Sequence, residues 1–126
     1  LSSLCNHLRE RMASWSWVGF YVVDRPGELV LGPFAGAPTA HVHIPFGTGV
    51  CGRVAATGIP LVIPDVRAEA NYLACSLTVR SELVVPVLRD GAVIAVLDID
   101  STELDPFSPE DVALLEAAAA AAAPLF

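Results

Sequence analysis

The chain has 126 residues, 7 basic against 14 acidic side chains and a net charge of −7, which is one domain's worth of residues around a single core and a balance that repels a phosphate backbone, so nucleic acid is excluded as the main ligand. Apolar residues make up 54% of it, but Arg89, Asp90, Asp98 and Glu116 interrupt the apolar runs before any reaches a membrane span, so no membrane partner is expected. It begins at Leu1 without a basic stretch and apolar run, which reads as a trimmed chain lacking a signal peptide; its three cysteines, an odd number, make no disulfide framework and fit a reducing, cytoplasmic compartment.

Leu1, Leu4, Cys5, Leu8 and Met12 recur at helical spacing and predict an amphipathic first helix of about three turns. Trp15 to Val23 is aromatic and β-branched, and the turn Asp24-Arg25-Pro26-Gly27 joins it to a second run, Glu28 to Leu31, as a hairpin. A third strand, His41 to Pro45, runs into the glycine-rich GTGVCG and a short helical piece ending at Gly58. Pro60 to Ile63 is a short strand, and residues 65 to 80 read as a loop with a turn or two of helix; long loops of this kind are usually functional. Two strong apolar runs, ELVVPVL and AVIAVLDID, meet at Arg89-Asp90-Gly91, a good hairpin signal. They are expected at the sheet centre, with Pro86 marking a bulge or an edge. Ser108-Pro109-Glu110-Asp111 then starts an alanine-rich helix with an N-cap, a first-turn proline and first-turn acids. Connections too short for crossover helices predict a largely antiparallel sheet and the class α+β.

Gly47-Thr48-Gly49-Val50-Cys51-Gly52 matches G-x-G-x-x-G, but the helix after it is too short to cross a parallel sheet. What survives is a helix start whose amides would stabilise an anion or a thiolate at Cys51. Cys75 lies in the irregular loop; the two cysteines read either as a nucleophile and its resolving partner or as buried structural residues. Cys5 falls on the apolar face of the first helix. His41 and His43 alternate on a strand and so share a face, without the spacing of a zinc site. Asp98 and Asp100 share a face of the last strand, and Glu82 opens its partner. These acids would take a hard metal ion, a ligand ammonium or a shared proton. Trp17 and Tyr21 share a face of the first strand and would wall a pocket or build a core.

The segments SWVGFY (16 to 21), ELVLGPFAG (28 to 36), IPFGTGVCG (44 to 52), PDV (64 to 66), ACS (74 to 76), SELVVPV (81 to 87) and VLDIDS (96 to 101) together resemble the free methionine-(R)-sulfoxide reductases, which are built on a GAF domain. The resemblance implies a single domain over residues 1 to 126, its helices on one face of the sheet and a closed ligand pocket on the other. It implies reduction of free methionine sulfoxide by a thiol, sulfenic acid and disulfide cycle, with Cys75 as nucleophile, Cys51 as the cysteine that pairs with it, and Trp17, Tyr21, Glu82, Asp98 and Asp100 as the pocket. Thioredoxin is the implied reductant, with no bound cofactor and no metal, and a homodimer is the family expectation. His41 stands where many members carry a further cysteine, which leaves resolution to Cys51. The loop that usually reads GHIACD is NYLACS here (71 to 76), with Ser76 in place of an acid. A non-catalytic GAF sensory or small-molecule-binding module is the alternative.

Overall fold

A computed structural model describes residues 1–72 and 78–126 of the chain. Its elements are α1 (Ser2–Arg11), β1 (Trp15–Arg25), β2 (Glu28–Ala35), β3 (His43–Pro45), α2 (Gly49–Thr57), β4 (Leu61–Ile63), β5 (Ser81–Arg89), β6 (Ala92–Ser101) and α3 (Pro109–Ala122), with short 3₁₀ turns at Val66–Ala68 and Ala123–Leu125. The six strands form one sheet in the order β3-β2-β1-β6-β5-β4, and the pairings along it are antiparallel. This is the expected α+β class, with one antiparallel sheet.

The turn residues explain the two hairpins. Pro26 and Gly27 separate the paired residues Arg25 and Glu28, and Gly27 takes a φ of 81° that proline-glycine turns reserve for glycine. Asp90 and Gly91 carry φ values of 51° and 80° between the paired Arg89 and Ala92, the double positive φ that fits a two-residue turn to twisted strands. The β5–β6 hairpin is not the sheet centre, however. The central pair is β1 and β6, because the eleven-residue β1 pairs along β6 from Trp15 to Val22, whereas β5 is flanked outside only by the three-residue β4. That flank stops at Val84, so Pro86 needs no outer partner for the N–H it lacks.

Strand alternation sends residues to two buried layers. Val18, Phe20, Leu83, Val85, Val87, Leu97 and Ile99 face α1 and α3, where Leu115, Ala119 and Ala122 give α3 a slim seam that approaches the sheet closely. Trp15 joins this layer although Trp17 does not, because a register irregularity between them turns the chain over. Ser108 accepts from the Asp111 N–H at 3.1 Å, and the Asp111 carboxylate accepts from the Ser108 N–H at 2.9 Å, a reciprocal cap that starts α3 where the sequence places it. On the opposite face Trp17, Tyr21, Val84 and Val96 pack with α2 and β3.

Candidate active site

The α2 face of the sheet is where apolar packing gives way to acids. Glu82 is the direct cross-strand neighbour of Asp100, and Asp98 lies two residues along β6 on the same face. All three are buried, the two aspartates to 1% exposure. Burial drives the Asp100 carboxyl well above the usual carboxylate range and the charge of Asp98 adds to it; burial also raises Asp98, partly offset by hydrogen bonds with Glu82 and Cys51.

Cys51 sits in the first turn of α2, and Gly52 beside it lets the turn close: a Cβ there would stand 2.6 Å from the Pro45 carbonyl. The thiol is hydrogen-bonded to Asp98. The expectation of a thiolate stabilised by the helix start is corrected by these surroundings. Burial, then the charges of Asp98, Glu82 and Asp100, push the Cys51 thiol well above its ordinary value, and these outweigh a helix-end effect that is worth a fraction of a kcal/mol to about 2 kcal/mol. Cys51 is held as a protonated thiol. Its sulfur and one carboxylate oxygen each from Glu82 and Asp98 all lie within 4.8 Å of one another.

Two adjoining cavities divide the expected site. Tyr21, Cys51, Glu82 and Asp98 line one of them together with His41, Ile44 and Val50, a partly open pocket of about 250 Å³, of which some 10 Å³ is free for a water-sized body, about enough for one water. Trp17 and Asp100 line the other, a larger cleft of about 630 Å³ that also includes Arg9, Thr39 and Val79. Glu82 and Asp98 face the first cavity and Asp100 the second.

The aromatic wall depends on a glycine to which the sequence analysis gives no role. Trp17 stacks on Phe34 with ring centres 5.5 Å apart and on Tyr21 at 5.9 Å, and its indole N–H donates to the Ala37 carbonyl at 3.0 Å. Gly19 lies between Trp17 and Tyr21 on that face, and a Cβ there would meet the indole at 2.4 Å and the Phe34 Cβ at 2.7 Å. The ring lies flat across the strand because Gly19 has no side chain. Its position between two same-face aromatics is the signal that could have found it.

Asn71 is a second such residue. Its side chain accepts from the Gly49 N–H at 2.9 Å and donates to the Gly47 carbonyl at 2.9 Å, so it caps α2 from more than 20 residues away, a place that Thr48 leaves without a side-chain cap. Glu69 pairs with Arg53 of α2. Both contacts tie the segment before Cys75 to the helix that carries Cys51. Cys75 itself, with Ser76, lies outside the described residues.

The histidines separate. β3 begins at His43, so the expected shared strand face is absent: His43 points outward to Glu28 at 3.0 Å, while His41 precedes the strand and lines the first cavity. The reason is that β3 pairs with β2 only from Glu28 to Val30. Cys5 is buried in the helix-covered layer and hydrogen-bonds toward the Pro33 carbonyl at 3.5 Å, on the far side of the sheet from the acids.

The family model described as GAF domain matches residues 1–126. The solved type II free methionine-R-sulfoxide reductase of Thermoplasma acidophilum superposes with a TM-score of 0.95 at 40% identity, covering 98% of this chain and 87% of that one. The chain belongs to the GAF-domain family of free methionine-(R)-sulfoxide reductases. A second member, the Neisseria meningitidis enzyme solved in complex with its substrate, matches with a TM-score of 0.92 and 44% identity over 98% of this chain and 74% of that one. The Escherichia coli free methionine-R-sulfoxide reductase is 42% identical over 104 residues, 82% of this chain and 62% of its own length. The chain spans 59 to 69% of the length of the curated relatives it matches. No helix among the described residues is long and apolar enough to cross a membrane.

Proposed function

We propose that this chain reduces free L-methionine-(R)-sulfoxide to methionine. The observation that carries the reading is the buried meeting of Cys51 with Asp98 and Glu82, beside Asp100 and the Trp17–Tyr21 stack. It is supported by similarity to reductases that cover nearly the whole chain.

A sulfoxide is reduced when a thiol sulfur attacks the substrate sulfur while a proton reaches the departing oxygen. Cys75 is the attacking thiol in this proposal. The raised carboxyls of Asp98 and Asp100 hold protons at a pH where ordinary carboxylates have lost them, so one of them serves as general acid and recovers its proton from the attacking thiol. Oxygen is thereby transferred: thiol and sulfoxide become sulfenic acid and thioether. The carboxylate of the group that remains ionised holds the substrate ammonium, and the face of Trp17 packs the methyl and methylene groups. Cys51 then condenses with the sulfenic acid of Cys75, forming the S–S bond and releasing water from the sulfenic hydroxyl and the thiol proton. An external dithiol, thioredoxin by chemistry and by family, restores both thiols by exchange. The reading requires no bound cofactor or metal, and it includes a cytoplasmic setting and a homodimer.

The rival is a sensory GAF module that binds a small molecule without turnover. Thioredoxin-coupled NADPH oxidation separates the two when free R, free S and peptide-bound sulfoxides are compared: consumption with the free R form alone is expected, and binding without consumption would move the chain to the sensory class.

A further inference from the structure

The same cavity has the donor set of a metal site. The Cys51 sulfur and single oxygens of Glu82 and Asp98 lie within 4.8 Å of one another, and tetrahedral donors around zinc stand roughly 3–4 Å apart, so small side-chain rotations close the set around one ion. A second, independent feature points to a ligand. Asp98 is 1% exposed and lines this cavity; its carboxyl hydrogen-bonds Glu82 and Cys51, yet its Oδ1 has no hydrogen-bond partner among the described residues, an expensive condition for a buried carboxyl oxygen. The free space between these groups takes about one water-sized body, which suits a bare ion. His41 lines the same cavity, so its ring or one water can supply a fourth donor.

We propose that Cys51, Glu82 and Asp98 form a binding site for a thiophilic divalent cation, zinc above all, in the reduced protein. Sulfur in the set selects zinc over magnesium and calcium, which take oxygen ligands. Cys51 gives up its thiol proton to the solvent on binding, the zinc–sulfur bond forms in its place, and no electron is transferred. The ion then occupies the thiol that resolves the sulfenic acid and one acid that supplies protons, so zinc is a reversible inhibitor of the proposed reductase. The metal site itself does not depend on that activity.

The test uses the reduced, chelator-treated chain with the metal alone. Cobalt(II) is expected to give one saturable equivalent with a near-ultraviolet sulfur-to-metal charge-transfer band and the visible bands of a tetrahedral ion, displaced by one equivalent of zinc. A Cys5→Ser/Cys75→Ser variant, in which Cys51 is the sole thiol, should keep the band, and Cys51→Ser should lose it. Asp98→Asn and Glu82→Gln should each weaken zinc at least tenfold, since even the outer partners of metal ligands cost roughly 10- to 100-fold; these variants keep the site falsifiable if Cys51→Ser does not fold. Absence of saturable one-to-one binding, or a band that survives in Cys51→Ser, overturns the site. Zinc bound at Cys51 in a chain that reduces no sulfoxide would keep this inference and remove the reductase reading; zinc-insensitive turnover by a chain that binds no zinc would do the reverse.

Discussion

The two faces of one sheet are built from the same strands and do opposite things. Toward α1 and α3, β5 and β6 present Leu83, Val85, Leu97 and Ile99, all fully buried and all apolar. One residue along, the same strands present Glu82, Asp98 and Asp100 to a layer that is buried almost as deeply. The first face stabilises the fold. The second costs stability, because each carboxyl is held where its charged form is poorly solvated, and the first face must offset it. Function is thus one step of strand alternation away from the core.

The largest difference between the faces is expected at their cysteines. Cys75→Ser should abolish multiple turnover in the coupled assay, whereas Cys5→Ala, on the helix-covered face, should leave kcat/KM unchanged. Activity lost in the second and kept in the first would reverse the assignment.

Next come the acids against the apolar core. Asp98→Asn or Asp100→Asn should lower kcat/KM for free methionine sulfoxide roughly 10- to 150-fold, the value of one charge-assisted hydrogen bond, with no loss of thermal stability near pH 8. Leu97→Ala, one residue from Asp98, should cost about 2–5 kcal/mol of stability by denaturant unfolding, with KM unchanged in the fraction that stays folded. If both classes of variant lose stability and activity together, the two faces are not separable.

Stability against pH is a third way to tell the faces apart. Asp98 and Asp100 are raised in the folded state above the ordinary aspartate value of 3.8, so the folded protein holds protons that the unfolded chain has released. Their stabilising contribution is full below about pH 4 and is lost as pH rises through the raised folded values, each carboxyl giving up about 1.4 kcal/mol for every pH step of one crossed in that window. Unfolding free energy of the wild type should fall over that range, and Asp98→Asn/Asp100→Asn should flatten the slope. An unchanged slope in the double variant would place the titration elsewhere. The smallest effect is expected at Gly19. Gly19→Ala pushes into the Trp17 indole and the Phe34 Cβ and should raise KM several-fold while shifting Trp17 fluorescence, at an overpacking cost of about 1–3 kcal/mol.

Much of this site was legible in the sequence because strands have a period of two. Asp98 with Asp100 and Trp17 with Tyr21 had to share faces once β1 and β6 were recognised, and the Asp-Gly turn brought Glu82 alongside. The cap of α3 and the turns at Gly27 and Gly91 were equally local, since each is decided by the conformational limits of a few residues. What the sequence could not carry was anything set by distance through space. The state of Cys51 is one case: a helix start predicts a lowered thiol, and burial first, with the charges of three carboxyls added to it, reverses the sign. The parting of His41 from His43, the capping of α2 by Asn71, and the placing of β1 rather than β5 beside β6 at the sheet centre are others. Which side chains each element presents, and to which face, was written in the order of the residues, because backbone geometry repeats every two or 3.6 residues. What those side chains meet came from the packing of the whole chain, because burial and electrostatics depend on neighbours tens of residues away, and those neighbours turn a row of acids and a thiol into a proton-holding pocket.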